Sequence, residues 1–132
     1  DPQGYGQLAS EYNLALFPYF SLASGFLTGK YATRDDLHGV ARESMMAAYL
    51  PDDEHEKAAF TVLDQLREIA GDHGVEVTSV SLAWLMAKGV TAPIASARTV
   101  DQLGPLLAAT DLTLSHDEVC ALDAASELFT RD

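Results

Sequence analysis

Two short segments of this 132-residue chain combine glycine, hydroxyl and cationic residues in a way that suits an anionic ligand. The first is Pro18-Tyr19-Phe20-Ser21-Leu22-Ala23-Ser24-Gly25-Phe26-Leu27-Thr28-Gly29-Lys30-Tyr31. Gly25 and Gly29 allow backbone N–H groups to approach an anion closely, while Ser24 and Thr28 offer hydroxyls and Lys30 a charge. It is not a nucleotide P-loop, because one residue too few separates Gly25 from Gly29 and Tyr31 replaces the required Ser or Thr. A glycine-rich connection with no ligand is the alternative. The second segment is Pro93-Ile94-Ala95-Ser96-Ala97-Arg98-Thr99-Val100-Asp101-Gln102-Leu103. Here a strand ends, a turn of small residues follows, and a helix N-terminus opens whose free N–H groups and dipole attract phosphate. Arg98 adds a planar fork suited to phosphate, the alternative being an ordinary surface arginine.

The elements that must position these segments follow from periodicity. The continuous apolar run at residues 14–18 predicts a strand buried on both faces, preceded by the tail of a helix ending at Tyr12-Asn13. Residues 19–31 are too rich in Gly and Ser for regular structure, and 32–56 read as a long polar loop with room for one helical segment and a turn at Pro51-Asp52-Asp53. From Lys57 the period becomes helical, with Ala59, Phe60, Leu63, Leu66, Ile69 and Ala70 inward, and Gly71 and Gly74 end the helix. Thr78 caps a second helix, Ser79 to Lys88, apolar nearly all round and deeply buried, which Gly89 stops. Residues 90–94 predict a second strand. Thr99 starts a helix with Gln102 in capping-box spacing, and Gly104-Pro105 kinks or shortens it. A capping box from Ser115 to Glu118 opens the last helix, with Val119, Leu122 and Ala125 inward.

Short buried strands alternating with helices indicate an α/β parallel-sheet architecture. Two strands make no self-sufficient parallel sheet, so the fold reads as incomplete.

Composition removes several function classes. With 20 acids against 8 scattered bases the net charge is −12, which repels phosphate backbones and argues against nucleic acid. No run approaches the roughly 18 apolar residues of a membrane span. The N-terminal residues carry no basic region or apolar targeting core, so the expected address is cytoplasmic. The single cysteine, Cys120, is expected to be buried and structural, and four singly spread histidines suggest no metal site.

The two segments, in order with their neighbours, resemble one family. Residues 18–31 look like the loop after the seventh barrel strand of aldo-keto reductases, and Val80-Ser81-Leu82-Ala83-Trp84-Leu85 is similar to the buried helix before the eighth. Residues 93–103 resemble the strand-eight segment that holds the adenosine 2′-phosphate, while 111–115 and 121–126 match the closing helix region. The resemblance covers essentially the whole chain. It implies the C-terminal part of a (β/α)8 TIM barrel, with strands seven and eight, their helices and the closing helix in residues 1–132.

The resemblance implies NADP(H) as cofactor and a small carbonyl substrate in the parent enzyme. Tyr19 would stack on the nicotinamide. Leu22, Ala23, Ser24 and Gly25 would wrap the pyrophosphate, helped by Thr28 and Lys30. Ser96, Ala97, Arg98 and Gln102 would surround the 2′-phosphate and adenine end. Phe20-Ser21 stands where many members have Ser-Pro, and Pro105-Leu106 where many have Glu-Asn. The family's chemistry uses a tyrosine, lysine, aspartate and histidine from the first half of the barrel. Tyr5, Tyr12, Tyr31 and Tyr49 lack that context, so no catalytic residue is assigned. A complete barrel needs about 250 residues, so a missing N-terminal half or self-association is expected, and the chain alone is expected to be inactive.

Overall fold

A computed structural model describes residues 4–40 and 43–130 of the chain. Its centre is the helix Asp53–His73, third of six α-helices among the described residues: α1 (Tyr5–Glu11), α2 (Glu43–Met46), α3 (Asp53–His73), α4 (Val77–Ala87), α5 (Leu103–Ala108) and α6 (His116–Ala125). On α3 the three- and four-residue spacing puts Ala59, Val62, Leu63, Leu66, Ile69 and Ala70 on one buried stripe. That stripe packs against α4 and α6, where it meets Val80 and Leu122. Full burial of a Val, Leu or Ile side chain contributes about 1.5–3 kcal/mol, so this three-helix contact is the main apolar anchor of the chain.

α3 starts four residues before the Lys57 expected from periodicity. Asp52 caps it by accepting from the N–H of His55, and Asp53, Glu54 and Glu56 sit in its first turn, where the helix dipole favours acids. Gly71 does not end it. The helix passes through Gly71 and stops at Gly74, whose φ of 64° provides the left-handed cap. The expected long loop is correspondingly shorter. It contains a 3-10 turn (Arg34–Leu37) and α2, and Tyr31, Leu37, Met46 and Leu50 fix it to the core. Arg34 pairs with Asp53 and Glu56 on the first turn of α3.

α4 begins at Val77, so Thr78 lies inside it and does not cap it. The deep burial expected of the whole helix holds only from Ser79 to Ala83; Trp84, Leu85 and Met86 are half-buried, and Ala87 and Lys88 are exposed. Lys88 and Trp84 both reach Asp123 on α6, at 2.6 and 3.0 Å. Ser115 and Glu118 form the predicted capping box at the start of α6, and Leu122 is fully buried there. Cys120 contradicts its expected burial: it is exposed, on the outer face of α6, with its sulfur 3.6 Å from the Nε2 of His116 one turn earlier.

No β-strand forms among the described residues, contrary to the expectation for 14–18 and 90–94. The two segments are extended and lie side by side in parallel register. The N–H of Ala92 reaches the carbonyl of Leu16 at 3.4 Å, and that of Ile94 reaches Pro18 at 2.9 Å. A parallel ladder also needs N–H groups donated the other way. Pro18 has none, and the Leu16 N–H is taken by the Thr91 hydroxyl at 2.9 Å. Half a ladder results. Nor are the segments buried on both faces: Leu14, Phe17 and Ile94 are each more than half exposed.

Candidate functional site

The contact of Pro18 with Ile94 brings the two chemistry-bearing segments together. Each leaves the end of its extended stretch beside the other, so 18–31 and 93–103 start from neighbouring points. Among the candidate residues, the structure thus gathers both segments at one end of the chain's paired extended stretches.

In the first segment a 3-10 turn spans Ala23–Thr28, kinked at Ser24 and Gly25. Phe20, Ala23 and Ser24 take positive φ values of 58°, 46° and 57°. Each such non-glycine residue costs about 1–2 kcal/mol, so the surroundings must hold the loop in shape. The Ala23 N–H closes on the Phe20 carbonyl and the Gly25 N–H on the Leu22 carbonyl, both at 2.8 Å. These two amides are therefore engaged within the loop. The Thr28 hydroxyl is engaged likewise, donating to the Gly25 carbonyl at 2.8 Å. Ser24 is buried, and Lys30 is exposed. The Lys30 ammonium folds back over Gly25, where an added Cβ would lie 3.2 Å from its Nζ, and sits 4.8 Å from the Tyr31 ring centroid. Gly25 leaves the space that this amine approaches. Tyr19 is 72% exposed, its ring tilted against Phe20 at a centroid distance of 4.7 Å.

In the second segment Ser96 and Arg98 are exposed and Ala97 is half-buried. The capping box expected between Thr99 and Gln102 is not made. The Gln102 side chain reaches one residue further back and accepts from the Arg98 N–H at 2.8 Å, fixing the backbone at the arginine. The helix itself is split into a 3-10 turn (Val100–Gln102) and the short α5, as Gly104-Pro105 predicts. Arg34, Arg67 and Lys88 are all tied to carboxylates. Lys30, Lys57 and Arg98 form no ion pair among the described residues, although acids outnumber bases by more than two to one. Two of these three cations lie in the candidate segments.

Four positioning contacts escaped the sequence reading. The Arg67 guanidinium donates to the Tyr31 carbonyl at 2.6 Å, and the Tyr49 hydroxyl to the Ala23 carbonyl at 2.6 Å. Ser81 donates to the Leu27 carbonyl at 2.8 Å, and Ser79 to the Pro105 carbonyl at 2.7 Å. The serines did carry a signal: a hydroxyl in an otherwise apolar, buried helix needs a partner outside it.

The carboxyl groups with displaced acidity all lie outside 18–31 and 93–103. Backbone N–H groups hold Asp36, Glu43, Asp52 and Glu118 below the ordinary carboxylate range: Thr33 and Ala32 for Asp36, Gly39 for Glu43, His55 for Asp52 and Ser115 for Glu118. Burial pushes Asp123 up, but donation from Lys88 and Trp84 together with the Lys88 charge outweighs it and leaves the group lowered. These groups fasten the helical frame that carries the two segments.

Comparison with known proteins places the chain. The aldo/keto reductase family model matches residues 1–127. An aldo-keto reductase of Aspergillus calidoustus, ausK, is 30% identical over 123 residues, covering 91% of this chain and 30% of that protein. An uncharacterized oxidoreductase of Mycobacterium tuberculosis is 32% identical over 117 residues, covering 89% of this chain and 35% of that protein. The chain thus spans about a third of the length of these curated relatives. A glycerol dehydrogenase of Gluconobacter oxydans superposes with a TM-score of 0.77 at 18% identity, over 99% of this chain and 40% of that one. The fold is accordingly of the (β/α)8 barrel class, represented here by helices and two extended segments. By the match of its family model over nearly its entire length, the chain belongs to the aldo/keto reductase family.

Proposed function

We propose that these residues are the C-terminal, cofactor-holding part of an NADP(H)-dependent aldo-keto reductase, which reduces a small carbonyl compound to an alcohol. The observation that carries this reading is the convergence of 18–31 and 93–103 at the Pro18–Ile94 contact, each bringing a cation without an ion-pair partner among the described residues. Lys30 over Gly25 suits the pyrophosphate, with Leu22, Ala23, Ser24 and Thr28 forming the wall of that loop. Because the Ala23 and Gly25 amides are already bonded, the charge there comes chiefly from Lys30. Arg98, its backbone fixed by Gln102, suits the 2′-phosphate, with Ser96 and Ala97 beside it. Exposed Tyr19 offers a ring face to the nicotinamide.

NADPH supplies the hydride in this chemistry. The residues here bind and orient; the tyrosine, lysine, aspartate and histidine that handle the proton and carbonyl come from another part of the barrel. Exposed Leu14, Phe17, Phe20, Ile94 and Leu107 support a further surface, from the N-terminal half or a second copy, that covers the extended segments.

Titration of the purified chain with NADPH, followed by nicotinamide fluorescence, tests the reading. Saturable binding without aldehyde-dependent NADPH oxidation is the expected result. Absence of binding overturns the cofactor assignment, and clear turnover overturns the division of labour. The second reading, a non-catalytic NADP(H)-binding module, rests on the lack of an assigned catalytic residue in these segments. It requires that supplying an N-terminal half restore no carbonyl reduction.

A further inference from the structure

α4 reaches both the first candidate segment and α5, which follows the second. Side chains two residues apart on an α-helix point about 200° apart around its axis, so Ser79 and Ser81 leave nearly opposite sides. They are 0% and 1% exposed. The Ser79 hydroxyl donates at 2.7 Å to the carbonyl of Pro105 in α5, three residues beyond Gln102. The Ser81 hydroxyl donates at 2.8 Å to the carbonyl of Leu27, in the loop between Gly25 and Lys30. It also lies 3.0 Å from the Val77 carbonyl one turn back, the local bond that a helical serine ordinarily makes. The contacts to Leu27 and Pro105 go beyond that local habit, one ending in the first segment and the other in α5, just after the second.

We propose that Ser79 and Ser81 are positioning residues that set the two ends of the cofactor site separately, Ser81 the pyrophosphate side and Ser79 the 2′-phosphate side. This rests on the NADP(H) reading above. Without the Ser81 hydroxyl the Leu27 carbonyl loses its buried donor, and the loop that carries Lys30 loosens. NADPH and NADH share the pyrophosphate, so both must weaken together. Without the Ser79 hydroxyl, α5 loosens behind Gln102 and Arg98. NADPH, which adds the 2′-phosphate to the adenine end that NADH shares, then loses more than NADH.

Ser79→Ala and Ser81→Ala are compared with the unaltered 132-residue chain by NADPH and NADH titration and by hydrogen exchange. Ser81→Ala is expected to weaken both dinucleotides about fivefold, with their ratio unchanged. Ser79→Ala is expected to weaken NADPH about fivefold and NADH less, so that the ratio of NADPH to NADH affinity falls. Amide exchange should rise in 22–30 for Ser81→Ala and in 98–109 for Ser79→Ala, each without the other. Equal losses for both dinucleotides in both variants, or exchange that rises in both segments together or in neither, overturn the proposal. If the unaltered chain binds no NADPH, the cofactor reading fails, and the exchange maps alone decide whether each serine holds its own segment. Should Ser81→Ala not fold, Ser81→Cys keeps the volume while weakening the donor, and must show the same pattern at smaller amplitude.

Discussion

Replacing Gly29 by alanine probes how tightly the first segment seats on α4. Gly29 has a φ of +79°, and a Cβ there would lie 2.9 Å from both the Cβ and a Cγ of Val77, the first residue of α4. The left-handed backbone costs a non-glycine residue about 1–2 kcal/mol. Forcing a methyl group into an already filled contact adds about 1–3 kcal/mol. Together they predict a loss of about 2–5 kcal/mol, a large part of the roughly 5–15 kcal/mol of a typical domain. Two other glycines separate the causes. Gly74→Ala, at φ +64° with nothing within 4 Å of the added carbon, should incur the backbone part alone, about 1–2 kcal/mol. Gly71→Ala, inside α3 and facing open space, should stabilise by about 0.5–1 kcal/mol. Urea unfolding followed by the fluorescence of the single tryptophan, Trp84, and by far-ultraviolet circular dichroism measures all three. If Gly29→Ala is no more destabilising than Gly74→Ala, the first segment does not seat closely on Val77.

Acid should unfold the chain through its hydrogen-bonded carboxylates. Asp36, Glu43, Asp52, Glu118 and Asp123 have lowered values in the folded state, so their contribution is present above the unfolded carboxylate range. It is lost as pH falls through the depressed values, so the urea midpoint should drop below about pH 4. Relief of self-repulsion in a chain of net charge −12 acts in the opposite sense on acidification. Comparison with Glu118→Gln isolates the paired groups: the variant should lose less on going from pH 5 to pH 3, and an identical loss would count against the assignment. Cys120, exposed on α6, should react stoichiometrically with a disulfide reagent under native conditions. Reaction only after denaturant is added would show that its outer face is covered.

The helical frame was largely legible because it rests on local rules. The stripe on α3, the burial of 79–83 and the Ser115–Glu118 box need only periodicity and capping chemistry. Errors arose where a second signal competed. Asp52 and three acids in the first turn drew the start of α3 back from Lys57, and burial at α4 placed Thr78 inside the helix. The strand expectation at 14–18 read hydrophobicity but not the donor that Pro18 removes or the N–H that Thr91 captures. Cys120 was misjudged because a helix with one buried leucine buries only part of its circumference. The two candidate segments were visible as composition. Their adjacency, the grip of Ser81, Arg67 and Tyr49 on the first segment and that of Ser79 on α5 behind the second depend on contacts 26 to 76 residues apart, which no local pattern encodes.

We propose that this chain recognises the 2′-phosphate of NADP(H) through Arg98, and the ratio of NADPH to NADH affinity reports that recognition. A charge-assisted hydrogen bond is worth about 1.5–3 kcal/mol, so the unaltered chain should favour NADPH by about tenfold or more. Arg98→Ala should abolish most of that preference while leaving NADH affinity as it was. A preference that survives Arg98→Ala unchanged, or NADH affinity that falls equally, would show that Arg98 does not read the 2′-phosphate.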